Sequence, residues 1–338
     1  MLKAALIGFG GIAQAAHVPG YQSLEKKEKV QLVAACDINE KQFCKKMDIN
    51  ISSGIDNSEL TIHQYTSLEE MLEKEDLDII DVCLPTPFHA KTVVDMLNRG
   101  YNVISEKPMA RTSADCRKML QAAETSKGKL MIAQCLRFFS EYDYLKTIID
   151  SNEFGKPLSA VFCRMSAPPV WSWENWYMDE TKSGSCLLDM HIHDVDMIRY
   201  LFGEPQSVSC VTQNVYSGAD IVHSRFFYPH MPVTAIGDWS EAGTSFTAAY
   251  RVGFEKATVV LEQGIVTVYP REGEKYNPVL SNVNGYEGEI EFFTDVIRGK
   301  TENIKNSPES AAKTIKLIET LKQSADKQGE TVVFKPVL

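Results

Sequence analysis

Gly8-Phe9-Gly10-Gly11-Ile12-Ala13 is the stretch that most restricts what this chain can become. It follows a short apolar run, Ala4-Ala5-Leu6-Ile7, and precedes helix-compatible residues from Ile12 to Val18, so the local reading is strand, tight turn, helix. The spacing is G-x-G-x-x-(G/A), and in that context it predicts a dinucleotide site. Gly8 permits the turn, Gly10 lets a pyrophosphate approach the backbone, and small Ala13 lets the helix pack on the strand. Gly11 and Ile12 belong to the same turn, where the dipoles of a helix N-terminus meet the anion. Asp37 ends the next β-rich run, Val30 to Cys36, and stands 29 positions beyond Gly8, somewhat further than the usual ~20. A carboxylate there accepts from ribose hydroxyls and repels a 2′-phosphate, which favours NAD over NADP. The competing reading is a plain turn in a non-binding α/β domain, with Asp37 capping a loop.

Further β-type runs at Leu77 to Leu84 and Tyr101 to Ser105 alternate with predicted helices at Ser67 to Lys74 and Ala90 to Arg99. Ser67 with Glu70 three residues on reads as a helix start. Such alternation predicts a parallel sheet with helices on both faces. Beyond about residue 125 the texture changes to Leu158 to Met165, Val208 to Tyr216, Ser224 to Tyr228, Val233 to Trp239, Phe246 to Phe254, Ala257 to Leu261 and Ile265 to Tyr269, an antiparallel sheet in its simplest reading. Helices are predicted at Cys186 to Phe202, Glu287 to Arg298 and Pro308 to Lys327. The expected organisation is therefore α/β, with a dinucleotide-binding domain over 1–125 and an α+β domain with a large, mainly antiparallel open sheet over 126–338. The length of 338 residues agrees with two domains at roughly 150 residues each.

The net charge of −10, from 35 Lys+Arg against 45 Asp+Glu, repels phosphate backbones and anionic bilayers, so neither nucleic acid nor membrane is an expected partner. No apolar run reaches the ~18 residues that span a bilayer. Eight scattered cysteines without a C-x-x-C pair read as reduced thiols, and a cytoplasmic location follows as an expectation. Lys3 and the apolar stretch to Ala16 superficially imitate a secretory leader, but cleavage there would remove the glycine turn.

Three other stretches carry chemistry. Residues 81–89 end a strand on a turn stiffened by Pro85 and Pro87 and closed by His89, at the sheet edge where α/β proteins place ligands. Glu106-Lys107-Pro108 follows the next strand, and a lysine held there points toward the crevice. Residues 184–196 place Asp189 and His193 four apart, on one face of a predicted helix. His191 would be turned about 200° from them, which disfavours a shared metal, and no metal site is expected. His17, at the end of the first short helix, reads as a core or hinge histidine.

Together, in order and spacing, these elements resemble the Gfo/Idh/MocA family, relatives of glucose–fructose oxidoreductase and inositol dehydrogenase. The resemblance spans nearly the whole chain, from the glycine turn and His17 through Asp37, Pro87, His89, Glu106-Lys107-Pro108, Arg137-Phe138 and Leu187-Leu188-Asp189 to His193, Asp196 and the terminal helix. It implies a Rossmann domain, a second domain whose open sheet serves a homodimer or homotetramer, and oxidation of a sugar or polyol at one carbinol. It implies that Lys107 contacts the cofactor and hydrogen-bonds the reacting oxygen, that His193 is the general acid/base, and that Asp189 orients or assists it. Glu106 reads as a structural or lysine-positioning residue on the cofactor side, and His89 as part of the cofactor turn. Trp173 and Trp176, in the aromatic segment 171–177, suit stacking on a sugar face or packing in a loop, and Arg137 suits substrate binding or bracing. The sequence departs from the family at Ser183-Gly184-Ser185 and at His191, where glycines are usual, which puts the substrate pocket in question. Two other functions share the scaffold: a glycosidase that uses held NAD for transient oxidation, and a non-catalytic nicotinamide sensor.

Overall fold

The computed structural model describes residues 1–44 and 61–337. β1 (Leu2–Ile7) leads through the glycine turn into a π-helical turn, Ala13–His17, continuous with α1 (Val18–Lys26). There follow β2 (Val30–Cys36), β3 (His63–Tyr65), α2 (Leu68–Lys74), β4 (Ile79–Val82), α3 (His89–Asn98), β5 (Asn102–Glu106), α4 (Ser113–Thr125) and β6 (Leu130–Ala133). Then come α5 (Ser140–Asp150), β7 (Pro157–Met165), α6 (Glu180–Ser183), α7 (Ser185–Asp189) and α8 (Ile192–Phe202). Six antiparallel-type strands follow as β8 (Ser207–Gln213), β9 (Ile221–Phe227), β10 (Pro232–Asp238), β11 (Thr247–Phe254), β12 (Ala257–Glu262) and β13 (Ile265–Pro270). The chain closes with α9 (Gly285–Ile297), α10 (Pro308–Asp326) and β14 (Val332–Val333).

The residues pack as two compact units, the first made of 1–110, 114–138 and 283–311, the second of 111–113, 139–282 and 312–338. The units are thus not two consecutive stretches divided by one cut. The segment carrying α9 joins the first unit because its buried face, Tyr286, Glu289, Ile290, Phe293 and Val296, packs against α1 and the residues after β6.

In the first unit, six parallel strands run in the order β3-β2-β1-β4-β5-β6. Their core includes Leu6, Ile79, Ile104 and Met131, joined by Leu24 of α1 and Phe293 of α9. Each such side chain contributes roughly 1.5–3 kcal/mol by leaving water. Strand order reverses between β1 and β4, the switch point at which open α/β sheets hold ligands. Register makes that edge level: Ile7 pairs with both Cys36 and Val82, and Val82 pairs with Ser105. Gly8, Asp37, Cys83 and the Glu106–Lys107 corner therefore all leave the sheet at its carboxyl end.

The second unit holds an eight-stranded sheet in the order β13-β12-β11-β7-β10-β9-β8-β14. All its pairs are antiparallel except β7 with β10. Burial alternates along β9 and β10, so one face is covered, with α8 on β7 and α7 on β9 and β10. The other face is open and carries half-exposed apolar side chains such as Leu158, Val161 and Val211. Among the described residues no helix is long and apolar enough to cross a membrane, and all eight cysteines are free thiols.

Two expectations about elements need correction. The helix expected over 186–202 is broken: α7 stops at Asp189, and α8 resumes at Ile192. The ladder is interrupted because His191 N–H donates to the Cys186 carbonyl five residues back, at 2.8 Å, and His193 N–H to Met190 only three back, at 3.2 Å. The four-residue spacing of Asp189 and His193 is therefore not the spacing of one continuous helix. The helix expected directly after the glycine turn begins instead as the π-helical turn, which sets the direction of His17.

Candidate active site

In the first unit, the glycine turn is built as its spacing demands. Gly8 N–H donates to Cys36 O at 2.8 Å, and its φ is +90°. A Cβ placed on Gly8 would stand 2.6 Å from the Cys83 carbonyl oxygen, whereas one on Gly10 would meet nothing within 4 Å. Gly8 is thus fixed by the fold, while the open space above Gly10 is where a ligand's phosphates reach the backbone. Ala13 is buried, and Gly11 and Ile12 lead into the π turn. Asp37 Oδ2 accepts from Phe9 N–H and Oδ1 from Asn39 N–H, both at 2.8 Å, which fixes a partly exposed carboxylate beside the glycines. These residues fit an adenine dinucleotide. Gly8→Ala is expected to raise the Kd for NAD at least tenfold and to lower Tm by several degrees, since positive φ and the clash with Cys83 act together; isothermal titration and thermal melting read both.

At the next strand end, Pro85 precedes a 3₁₀ turn, Thr86–Phe88, that carries exposed Pro87. His89 is buried, with Nε2 2.7 Å from Leu84 O and Nδ1 2.8 Å from Pro108 O. Burial, outweighing its two carbonyl partners, keeps the ring's pKa below the usual imidazole value. The polar atoms of His89 are therefore committed to tying the Leu84–Pro85 corner to Pro108, not to meeting a cofactor.

Glu106 is buried, and both its carboxyl oxygens have partners. Its Oε2 accepts from Lys107 N–H at 3.0 Å, and its Oε1 lies 2.9 Å from His17 Nε2. His17 Nδ1 lies 2.7 Å from Asp81 Oδ2, which also accepts from Tyr21 Oη–H at 2.9 Å. Burial is the largest single influence and opposes a charge on His17, but Asp81 and Cys83 beside it together hold the ring well above its usual pKa. Lys107 itself is half-buried, at the carboxyl edge shared with Gly8 and Asp37. Arg137 is 2% exposed, and its guanidinium donates to Lys305 O at 2.6 Å and to Ser310 Oγ at 2.9 Å. Arg137 thus braces the 305–310 segment.

In the second unit, Asp189 is the last residue of α7 and is buried, and half-buried His193 lies in the first turn of α8. Their neighbours serve the interior. Arg164 donates to both oxygens of Asp194, at 3.0 and 3.1 Å, and to Tyr142 Oη. Asp196 accepts from Thr314 Oγ1. His191 is fully buried with Nε2 2.6 Å from Ser224 Oγ, and burial with nearby Arg164 pushes its pKa down to about 3. It is a neutral core residue.

The aromatic segment divides. Trp176 is buried and stacks on Tyr177 at a centroid distance of 4.1 Å, while Tyr177 meets Trp171 and Trp239 edge-on. Trp176 is thus packed within the segment, as the loop-packing alternative expects. Trp173 is 39% exposed and precedes Glu174 and Asn175, whose φ values of 47° and 52° give the segment a left-handed bend.

Sequence reasoning assigned no chemistry to His17 and passed over Glu289. The signal for Glu289 is visible in retrospect: it occupies the apolar register of α9 between Tyr286 and Phe293, where a carboxylate is out of place unless partnered.

A parallel sheet with the glycine turn, the acidic second strand and the lysine corner on one edge defines a dinucleotide-dependent oxidoreductase scaffold. The chain belongs to the Gfo/Idh/MocA oxidoreductase family. Residues 2–134 match the family model described as "Oxidoreductase family, NAD-binding Rossmann fold", and residues 142–291 match the "GFO/IDH/MocA C-terminal domain". NAD is its cofactor class. The inositol 2-dehydrogenase of Salmonella typhimurium is 26% identical over 310 residues, 81% of this chain and 84% of that protein. The Bacillus subtilis protein named scyllo-inositol 2-dehydrogenase (NADP(+)) IolU is 25% identical over 268 residues, 76% and 80% of the two chains. Among solved structures, levoglucosan dehydrogenase in complex with NADH and levoglucosan superposes with a TM-score of 0.84 at 17% identity, covering 99% of this chain and 100% of that one, which shows the shared fold.

Proposed function

We propose that the protein is an NAD-dependent dehydrogenase acting on a secondary hydroxyl of a sugar, inositol or related polyol. The observation that carries this is the level carboxyl edge of the first sheet, which brings Gly8, Asp37 and Lys107 to one rim. The inositol dehydrogenase relatives, matched over most of their length, support the substrate class. NAD supplies the hydride acceptor. Lys107 hydrogen-bonds the reacting oxygen and stabilises its developing negative charge. His193 takes the hydroxyl proton, as an imidazole titrating near neutrality can, and Asp189 orients it. Trp173 offers an exposed face to the sugar ring, and Pro85 and Pro87 stiffen the rim against the cofactor. Residues 126–338 supply most of the substrate side, and the open face of the second sheet is the surface through which a dimer or tetramer forms. Free thiols support a reducing, cytoplasmic setting.

The test is nicotinamide reduction by purified protein across inositols, aldoses, amino sugars and sugar phosphates, with NAD or NADP. Turnover of at least one polyol with NAD is expected. Tight NAD binding with no turnover anywhere on the panel overturns the reading in favour of a sensor. The Asp37 carboxylate sets the cofactor choice, so Asp37→Asn, which keeps an acceptor oxygen but removes the charge, is expected to shift the NAD:NADP affinity ratio toward NADP by roughly tenfold, about 1.4 kcal/mol. Parallel titrations with the two cofactors measure it.

A further inference from the structure

Behind the Glu106–Lys107 corner lies a buried group of ionisable side chains that the proposed chemistry does not use. His17 Nε2 and one oxygen each of Glu106 and Glu289 lie within 4.8 Å of one another, and all three residues are buried. Both Glu289 oxygens are shut off from solvent with no hydrogen-bonding partner, so as a carboxylate it would be a bare buried charge. The titratable groups around the cluster are His17 from the π turn, Tyr21 from α1, Asp81 from β4 and Cys83 just after it, Glu106 and Lys107 from β5 and its end, Cys135, and Tyr286 from α9. Both nitrogens of His17 already sit at hydrogen-bond distance from carboxylates, at 2.7 and 2.9 Å, an arrangement that calls for two N–H groups and hence an imidazolium. One buried cation then faces three carboxyl groups. Two like charges this close, away from water, are relieved by a proton on one of them.

We propose that Glu289 is a positioning residue that works as a neutral acid: it keeps its proton beside Glu106, and the His17–Glu106–Glu289 group thereby holds the corner from which Lys107 projects. Glu106 has one oxygen on His17 and the other on the Lys107 amide, so an uncharged Glu289 beside it leaves undisturbed a side chain whose place fixes the next residue. Burial holds the Glu289 pKa well above the carboxylate range, with His17 pulling the other way and Glu106 and Asp81 adding to the rise. The catalytic part of this inference rests on the role proposed for Lys107; the protonation does not.

The decisive comparison is Glu289→Gln with wild type, using the whole chain. A glutamine keeps a donor toward Glu106 and cannot ionise. An acid protonated in the folded state and ionised in the unfolded state makes stability fall as pH rises, so the Glu289→Gln folding constant should gain on wild type by up to about tenfold per pH unit above roughly pH 5. In parallel, the wild type should show a protonated-carboxyl infrared band at pH 7 that shifts on deuteration and is missing from Glu289→Gln. Glu289→Leu should lower polyol turnover at least tenfold, and Glu289→Gln should restore it to within about threefold of wild type. A stability difference between Glu289→Gln and wild type that is flat with pH, absence of the band, or stoichiometric zinc retained by wild type and lost in Glu289→Gln after exposure to Zn²⁺ would overturn the proposal. The pH-dependent stability and the infrared band read out even if no polyol is turned over, so failure of the dehydrogenase reading is told apart from failure of this one.

Discussion

Lys107→Ala is expected to lower kcat for polyol oxidation by about 10²- to 10³-fold while leaving the Kd for NAD within about threefold. The magnitude is that of removing one preorganised donor from a developing oxyanion, roughly 2.7–4 kcal/mol. The specificity of the effect follows from the structure. The cofactor turn is built from Gly8, Gly10 and Asp37 with backbone partners of their own, and the Lys107 side chain is not among those partners. Glu106 meets Lys107 through its main-chain N–H, which alanine retains, so the corner itself survives the substitution. Initial rates and a calorimetric NAD titration on the same preparation separate the two quantities. A variant with kcat within threefold of wild type would remove Lys107 from the chemistry, and one that no longer binds NAD would make it a cofactor residue instead.

The largest loss of stability is expected from His17→Leu. The imidazole is fully buried between Asp81 and Glu106, and leucine would leave both carboxylates without their shared cation. Breaking a buried pair from one side costs about 3–5 kcal/mol, enough to lower Tm by several degrees and to expose the first unit to proteolysis. The pH dependence has a definite sign. The folded pKa of His17 is raised above the unfolded value of ~6.5, so its ionic contribution is complete below about pH 6.5 and is lost as pH climbs through the raised folded value. The Tm deficit of His17→Leu relative to wild type should accordingly be greatest near pH 6 and shrink at alkaline pH. A deficit that grows with pH would mean that His17 is neutral in the folded protein.

The strands of the first sheet were legible where apolar runs were bounded by turns. Val30 to Cys36 coincides with β2. β3 was not legible, because His63-Gln64-Tyr65 has no apolar pattern and is a strand only through pairing with Ala34, Ala35 and Cys36. β6 was missed for the opposite reason: Leu-Met-Ile-Ala is uniformly apolar and too short to separate strand from buried helix. The break between α7 and α8 escaped because no Gly or Pro marks it, and the interruption lies in backbone hydrogen bonds rather than composition. Glycines and Asp37 could be read from spacing, since their roles are backbone and edge roles that the order of strands imposes. The inward commitment of His89, Glu106 and Arg137 could not, because each depends on a carbonyl, an imidazole or a hydroxyl brought close only by packing. The same is true of Glu289, whose neighbours His17, Asp81 and Glu106 lie on other elements far away in sequence.

The central claim, that a hydride leaves a carbinol carbon for nicotinamide, is tested most directly with a polyol deuterated at that carbon. Incubation of the protein with the labelled polyol and NAD, followed by mass spectrometry of the released nucleotide, should show one deuterium per reduced nicotinamide, with equimolar ketone formed. Glycoside cleavage with no net reduced nucleotide, or tight NAD binding with neither label transfer nor ketone, would contradict it.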